Sequence, residues 1–134
     1  MSRFLSDLQP TFRTKVEAII SDLEAAGYPV YISETLRTAE RQAELVRRKL
    51  SWTSHSRHQD GLAVDLVDGR TVAGHLVLWG ASMDVWRLSE EEERQRREAA
   101  AEFFAALGAA AHRHGVTWGG DWKHYDPAHI EETT

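Results

Sequence analysis

His58 and Asp65 lie seven residues apart in Ser56-Arg57-His58-Gln59-Asp60-Gly61-Leu62-Ala63-Val64-Asp65. An imidazole nitrogen and a carboxylate oxygen are both good zinc ligands. Spacing alone fits equally a surface histidine and a strand-end aspartate that never meet, and that is the simpler reading of the pair by itself. The balance changes with Trp118-Gly119-Gly120-Asp121-Trp122-Lys123-His124-Tyr125-Asp126-Pro127-Ala128-His129, where a second histidine follows an aspartate by three residues. Two neutral histidines and one aspartate around a divalent ion leave residual positive charge and one open position, which suits a catalytic site. A carboxylate beside that site can take a proton from water and return it to a leaving amine.

These residues need elements to position them. Phe12, Val16, Ile19, Ile20 and Leu23 recur at helical spacing and predict a helix over about 10–26, with Gly27 as its stop and Pro29 preventing resumption. Val30-Tyr31-Ile32-Ser33 reads as a short strand, and Thr38 can cap a second helix through about Arg48. Segment 49–61 is polar and aperiodic, so it reads as the loop that delivers His58. Leu62-Ala63-Val64-Asp65-Leu66-Val67 is a strand candidate closed by an Asp68-Gly69 turn, residues 71–79 are another, and 80–88 carry no clear signal.

Ser89-Glu90-Glu91-Glu92 is a capping-box signature. It opens a long helix to about His114, with Phe103, Phe104 and Leu107 on the buried face and Gly115 as the stop. Val116-Thr117-Trp118 looks like a strand, followed by a Gly-Gly-Asp loop and the segment that carries His129. Helices and strands mix without regular alternation. The expectation is an α+β fold: a single small domain over residues 1–134, an antiparallel sheet with helices packed against it, and the metal site in a surface cleft.

Composition narrows the function. Apolar residues make up 42% of 134, enough for one core without disulfides. Cysteine is absent, so a metal must be held by His, Asp or Glu. The net charge of -5, with Lys and Arg interspersed among acids, argues against nucleic acid as a partner. No apolar stretch is long enough to span a bilayer, and Met1-Ser2-Arg3-Phe4-Leu5-Ser6-Asp7 lacks the apolar centre of a signal peptide.

The first segment resembles the Ser-x-His-x-x-Gly-x-Ala-x-Asp motif of the zinc D-Ala-D-Ala carboxypeptidase and L-alanyl-D-glutamate endopeptidase family, matching every fixed position. Phage endolysins of that family also carry Trp-Gly-Gly-Asp-Trp-Lys ahead of Asp-x-x-His, as here. The resemblance runs from about Ser33 to Glu131. It implies one zinc ion on His58, Asp65 and His129, with Asp126 as general base and acid. An Arg after the first strand with a Gln five residues on is a further family element, here Arg37 and Gln42. In the family the arginine stabilises the oxyanion, a role in which a fixed cation is worth several kcal/mol in a dry site. In this chain Pro127 stands two residues before the late histidine, where relatives commonly place a proline immediately before it; if that shift misplaces Asp126, Glu131 or Asp121 is the alternative acid.

Gln42, Ser56, Trp122 and His124 complete the expected site as substrate contacts. Ser56 also serves to fix the His58 loop, Gln42 can instead simply support its loop, and Trp122 can equally be core. His55 is a second cleft-edge histidine. His75, His112 and His114 read as surface or helix-end residues, the last two suited to the negative helix end. The implied activity is hydrolysis of peptidoglycan stem peptide at the L-alanyl-D-glutamate bond, by a phage or prophage endolysin. Such an enzyme is expected to be a monomer, made in the host cytoplasm and released by a holin to act in the periplasm. The alternatives are a D-Ala-D-Ala carboxypeptidase or dipeptidase and a non-catalytic, zinc-stabilised wall-binding module.

Overall fold

The computed structural model describes residues 2–51, 55–81 and 87–133. Helix α1, Pro10–Ala25, starts on a proline, which suits a first helical turn whose N–H groups have no partner. It buries Phe12, Val16, Ile19 and Leu23. Strand β1, Val30–Glu34, follows. Helix α2, Ala39–Arg47, is capped by the Thr38 side chain, which accepts from the Arg41 N–H. Strands β2, Ala63–Val72, and β3, His75–Leu78, form a hairpin. Helix α3, Glu90–Arg113, opens on the capping box of Ser89 and Glu92 and ends before Gly115. Strands β4, Thr117–Trp118, and β5, His129–Glu131, complete an antiparallel sheet in the order β1-β2-β5-β4, with β3 also on β2.

Helices α1 and α3 cover one face of this sheet. Phe12, Val16, Ile19 and Leu23 of α1 meet Phe103, Leu107 and Ala111 of α3 over Val64, Leu66 and Ile130. Each large side chain removed from water contributes about 1.5–3 kcal/mol, so this shared face supplies the main cohesion. The expected α+β fold with helices on an antiparallel sheet is what the chain adopts. No helix among the described residues is long and apolar enough to cross a membrane.

One expected turn is misplaced. β2 runs straight through Asp68-Gly69 and ends only at Val72. Asp68 has no exposed surface, and Arg70 satisfies its carboxylate at 2.8 Å. Arg70 also reaches the Ala99 carbonyl of α3 at 2.8 Å, so the polar pair ties sheet to helix. Gly69 lets the Pro29 carbonyl approach so closely that a Cβ would lie 2.9 Å from it. The real hairpin turn is Ala73-Gly74, both with positive φ (54° and 81°), as a two-residue connection demands. Accordingly the strand expected over 71–79 is confined to His75–Leu78. Residues 52–54 of the expected loop, and 82–86 of the segment without a clear signal, lie outside the described residues.

Candidate metal centre and its cleft

β2 alternates. Val64 and Leu66 face the core, and Asp65 between them points to the opposite side. Across the ladder Asp65 stands opposite His129 of β5. On its other side a bulge between Ile32 and Glu34 of β1 brings Glu34 level with it. His58 arrives on a one-turn 3-10 helix, Arg57–Asp60. The Ser56 hydroxyl accepts from the His58 N–H at 3.2 Å, and the Gln59 side chain accepts from the Ser56 N–H at 2.9 Å. The polar segment therefore ends in a capped turn where a loop was expected. Ser56 fixes that turn and lines the cleft.

The three expected ligands converge. His58, Asp65 and His129 offer ligand atoms all within 4.8 Å of one another. His58 Nε2 and His129 Nδ1 each lie 3.2 Å from Asp65 Oδ1. Both rings are buried, with centroids 5.0 Å apart. Their outer nitrogens are engaged elsewhere: His58 Nδ1 with the Thr35 carbonyl at 2.8 Å, and His129 Nε2 with Glu131 Oε1 at 2.8 Å. A carbonyl accepts only, so His58 carries its proton on Nδ1, and a carboxylate imposes the same on His129 Nε2. The inner nitrogens then present lone pairs to a carboxylate oxygen. Three acceptors facing one another require a cation or a proton between them. The outward bonds orient metal-binding histidines in the usual way, so the donor set fits a divalent ion.

The electrostatics agree. Burial raises the Asp65 carboxyl, but the His58 and His129 imidazoles outweigh it and hold it well below the usual range. Burial lowers His129, yet its bonds to Asp65 and Glu131 prevail and lift it to about 9. The half-buried carboxylate of Asp126 is raised, first by lost hydration and then by the Asp65 charge.

Asp126 Oδ2 lies 4.0 Å from His129 Nδ1, beside the trio, and its side chain is 51% exposed to the cleft. Its loop is clasped at Gly119, whose carbonyl accepts from the Asp126 N–H at 3.0 Å. A Cβ at Gly119 would meet the Asp126 carbonyl at 2.3 Å, so only glycine permits this approach. Trp118 braces the same loop through Nε1 to the Pro127 carbonyl at 2.8 Å. Of the other nearby acids, Asp121 is engaged by His112 at 2.6 Å and Glu131 by His129.

Arg37 donates through Nε and Nη2 to Glu34 and through Nη1 to Gln42 Oε1 at 2.7 Å. Its Nη2 also lies 3.8 Å from Asp65 Oδ2. The cation is thus fixed against the trio. Gln42 has no exposed surface and lies behind Arg37, also donating to Ser51 at 2.9 Å. It stands off the cleft wall, whereas Trp122 and His124 are on it. The Trp122 ring lies over His129, centroids 5.0 Å apart. His55 lines the cleft and pairs with Asp60 at 3.1 Å. The cleft measures about 890 Å³.

Sequence reasoning missed Thr35 and Glu34 and gave Glu131 only an alternative role as acid. Thr35 acts through its main chain, so no side-chain pattern marks it. Glu34 precedes Arg37 by three residues, a spacing shared by ordinary surface pairs. Glu131 was legible: two residues from His129 on one strand, the two side chains must share a face.

No curated protein matches the chain. The family model described as D-alanyl-D-alanine carboxypeptidase matches residues 50–132, which contain the His58, Asp65, Asp126 and His129 positions. Among solved structures the chain is similar to the L-Ala D-Glu endopeptidase ChiX of Serratia marcescens, with 30% identity and a TM-score of 0.65. That alignment covers 96% of this chain and 83% of that one.

Proposed function

The chain belongs to the D-alanyl-D-alanine carboxypeptidase family of peptidases, and on that premise we propose that it is a zinc-dependent hydrolase of the L-alanyl-D-glutamate bond in peptidoglycan stem peptide. The observation that carries this reading is the pair of buried histidines turned by Thr35 and Glu131 so that their lone pairs meet Asp65. His58, Asp65 and His129 would hold the ion. When bound, zinc supplies a Lewis acid and lowers the pKa of a water at the open position.

The chain's own groups supply the rest. Asp126, beside the trio and open to the cleft, takes the proton of the attacking water and hands it to the leaving nitrogen. Its raised pKa makes it a stronger base toward the water proton and keeps more of it protonated for delivery to the leaving nitrogen. Arg37 faces the negative charge that develops on the scissile carbonyl. Glu34 and Gln42 hold its guanidinium, so little reorganisation is needed during the reaction. Trp122, Ser56 and His124 line the wall against which substrate lies, and Gln42 serves substrate only through Arg37.

The endopeptidase reading follows ChiX, whose description names that bond. The second reading, removal of terminal D-Ala, is favoured by the description of the matching family model. Digestion of purified sacculi followed by mass spectrometry separates them. New N-terminal D-glutamate is expected; loss of terminal D-Ala alone would establish the carboxypeptidase. A protein carrying one zinc per chain yet inert on every peptidoglycan would instead be a wall-binding module. The endolysin role rests on the Trp-Gly-Gly-Asp-Trp-Lys and Asp-x-x-His order. It predicts lysis of Gram-negative cells whose outer membrane has been permeabilised, and intact cells after that treatment would sink it.

A further inference from the structure

Trp79 stands 48% exposed on the wall of the same cleft. The turn that presents it is tightly constrained. Leu78, just before it, has φ +53°, a strained conformation for a residue with a side chain. Gly80, just after it, has φ +81° and packs so tightly that a Cβ would lie 2.7 Å from the Cβ of Ala100 and 3.1 Å from the Arg96 carbonyl. The Gly80 N–H closes the turn on the Val77 carbonyl at 2.8 Å. Arg96 of α3, only 1% exposed, donates to the carbonyls of Leu76 at 2.9 Å, Val77 at 3.0 Å, and Ala81. Burying a guanidinium is costly unless its N–H groups are satisfied, and here both Nη groups are spent on the main chain of this turn. Strain of this kind persists only where its surroundings over-determine it, and it concentrates where a ligand is met. The result is a large apolar ring presented half in water on the wall of the cleft that contains the trio.

We propose that Trp79 is a binding platform for the muramic acid ring of the glycan strand, an inference that rests on the peptidase reading above. In peptidoglycan the L-alanine is amide-linked to the lactyl group of N-acetylmuramic acid. One residue therefore separates the proposed scissile bond from a pyranose ring. A pyranose offers a face of C–H groups to an aromatic plane and keeps its hydroxyls in water, which matches a half-exposed ring on a constrained turn. A cleft of about 890 Å³ is near the upper end for small-molecule sites and leaves room beyond a dipeptide. Trp79 thus makes the cleft a site for glycan-linked peptide in preference to free peptide.

The test uses two ligands that lack the scissile bond: N-acetylglucosaminyl-N-acetylmuramyl-L-alanine, and D-lactyl-L-alanine, which has the same end without the sugars. Their affinities for the zinc-loaded protein are measured by NMR titration. The wild type should bind the sugar-bearing ligand about tenfold more tightly or better. Trp79→Ala should abolish that preference and leave D-lactyl-L-alanine affinity within about twofold, while Trp79→Phe keeps part of it. Equal binding of the two ligands by the wild type, or equal weakening of both by Trp79→Ala, overturns the proposal. Cleaved sacculi with no sugar preference remove the platform alone. A sugar preference without cleavage removes the bond assignment and leaves the platform.

Discussion

A carboxylate beside a metal trio can move protons or become a fourth ligand, and Asp126 is placed for the first. It lies 4.0 Å from His129 Nδ1 with half of its side chain open to the cleft. Asp126→Asn should lower kcat/KM on stem peptide by about 10²–10⁴-fold while the zinc content stays at one per chain. Loss of zinc in that variant would make Asp126 a ligand. Glu131 acts one step further out, holding the proton on His129 Nε2. Glu131→Gln should weaken zinc binding by about 10–100-fold in competition with a chelator. Unchanged affinity would mean that the contact only packs the ring.

Among the elements, the short loop between β4 and β5 sets the aim of Asp126 and His129. Gly119 accepts from Asp126 at 3.0 Å and Trp122 at 3.2 Å, and the Asp126 carbonyl in turn accepts from the His129 N–H at 3.1 Å. Gly119→Ala must drive a Cβ into the Asp126 carbonyl, which lies 2.3 Å away. It should cost about 1–3 kcal/mol in thermal unfolding and depress activity more than the stability loss explains. Wild-type stability and turnover together would refute the clasp. The helices were legible because period and caps agree: Thr38 and Ser89 cap where their sequence signals place them. The hairpin turn was not. Asp68-Gly69 has turn chemistry, but pairing with Pro29 and Val30, and the Arg70 link to the Ala99 carbonyl of α3, hold it extended.

For the whole molecule, the proposed metal and a proton would compete for one pocket. His129 is raised from 6.5 to about 9 in the metal-free fold. A raised pKa contributes stability that is complete below the unfolded value and lost as pH rises through the folded one. The metal-free protein should therefore lose thermal stability between about pH 6.5 and 9. Zinc-loaded protein should keep its stability there, because the ion replaces the proton and metal binding is coupled to folding. Melting curves across that range with and without zinc decide it. Parallel pH profiles would show that His129 is not in the metal pocket.

The residues by themselves determined the parts that are local, α1, α2 and α3, and the motif segments singled out His58, Asp65, His129, Asp126 and Arg37 as candidates. Helical period, caps and a fixed spacing of donor types all act over a few residues, so one chain suffices to read them. Only the tertiary structure decided that His58, Asp65 and His129 meet, because 64 residues separate Asp65 from His129 and only the β2–β5 register closes that gap. It also decided which partners orient them, moved Gln42 from the cleft wall to a place behind Arg37, and raised Trp79 on a strained turn. Those outcomes depend on carbonyls and strand neighbours brought together by folding, and main-chain groups carry no mark in the sequence.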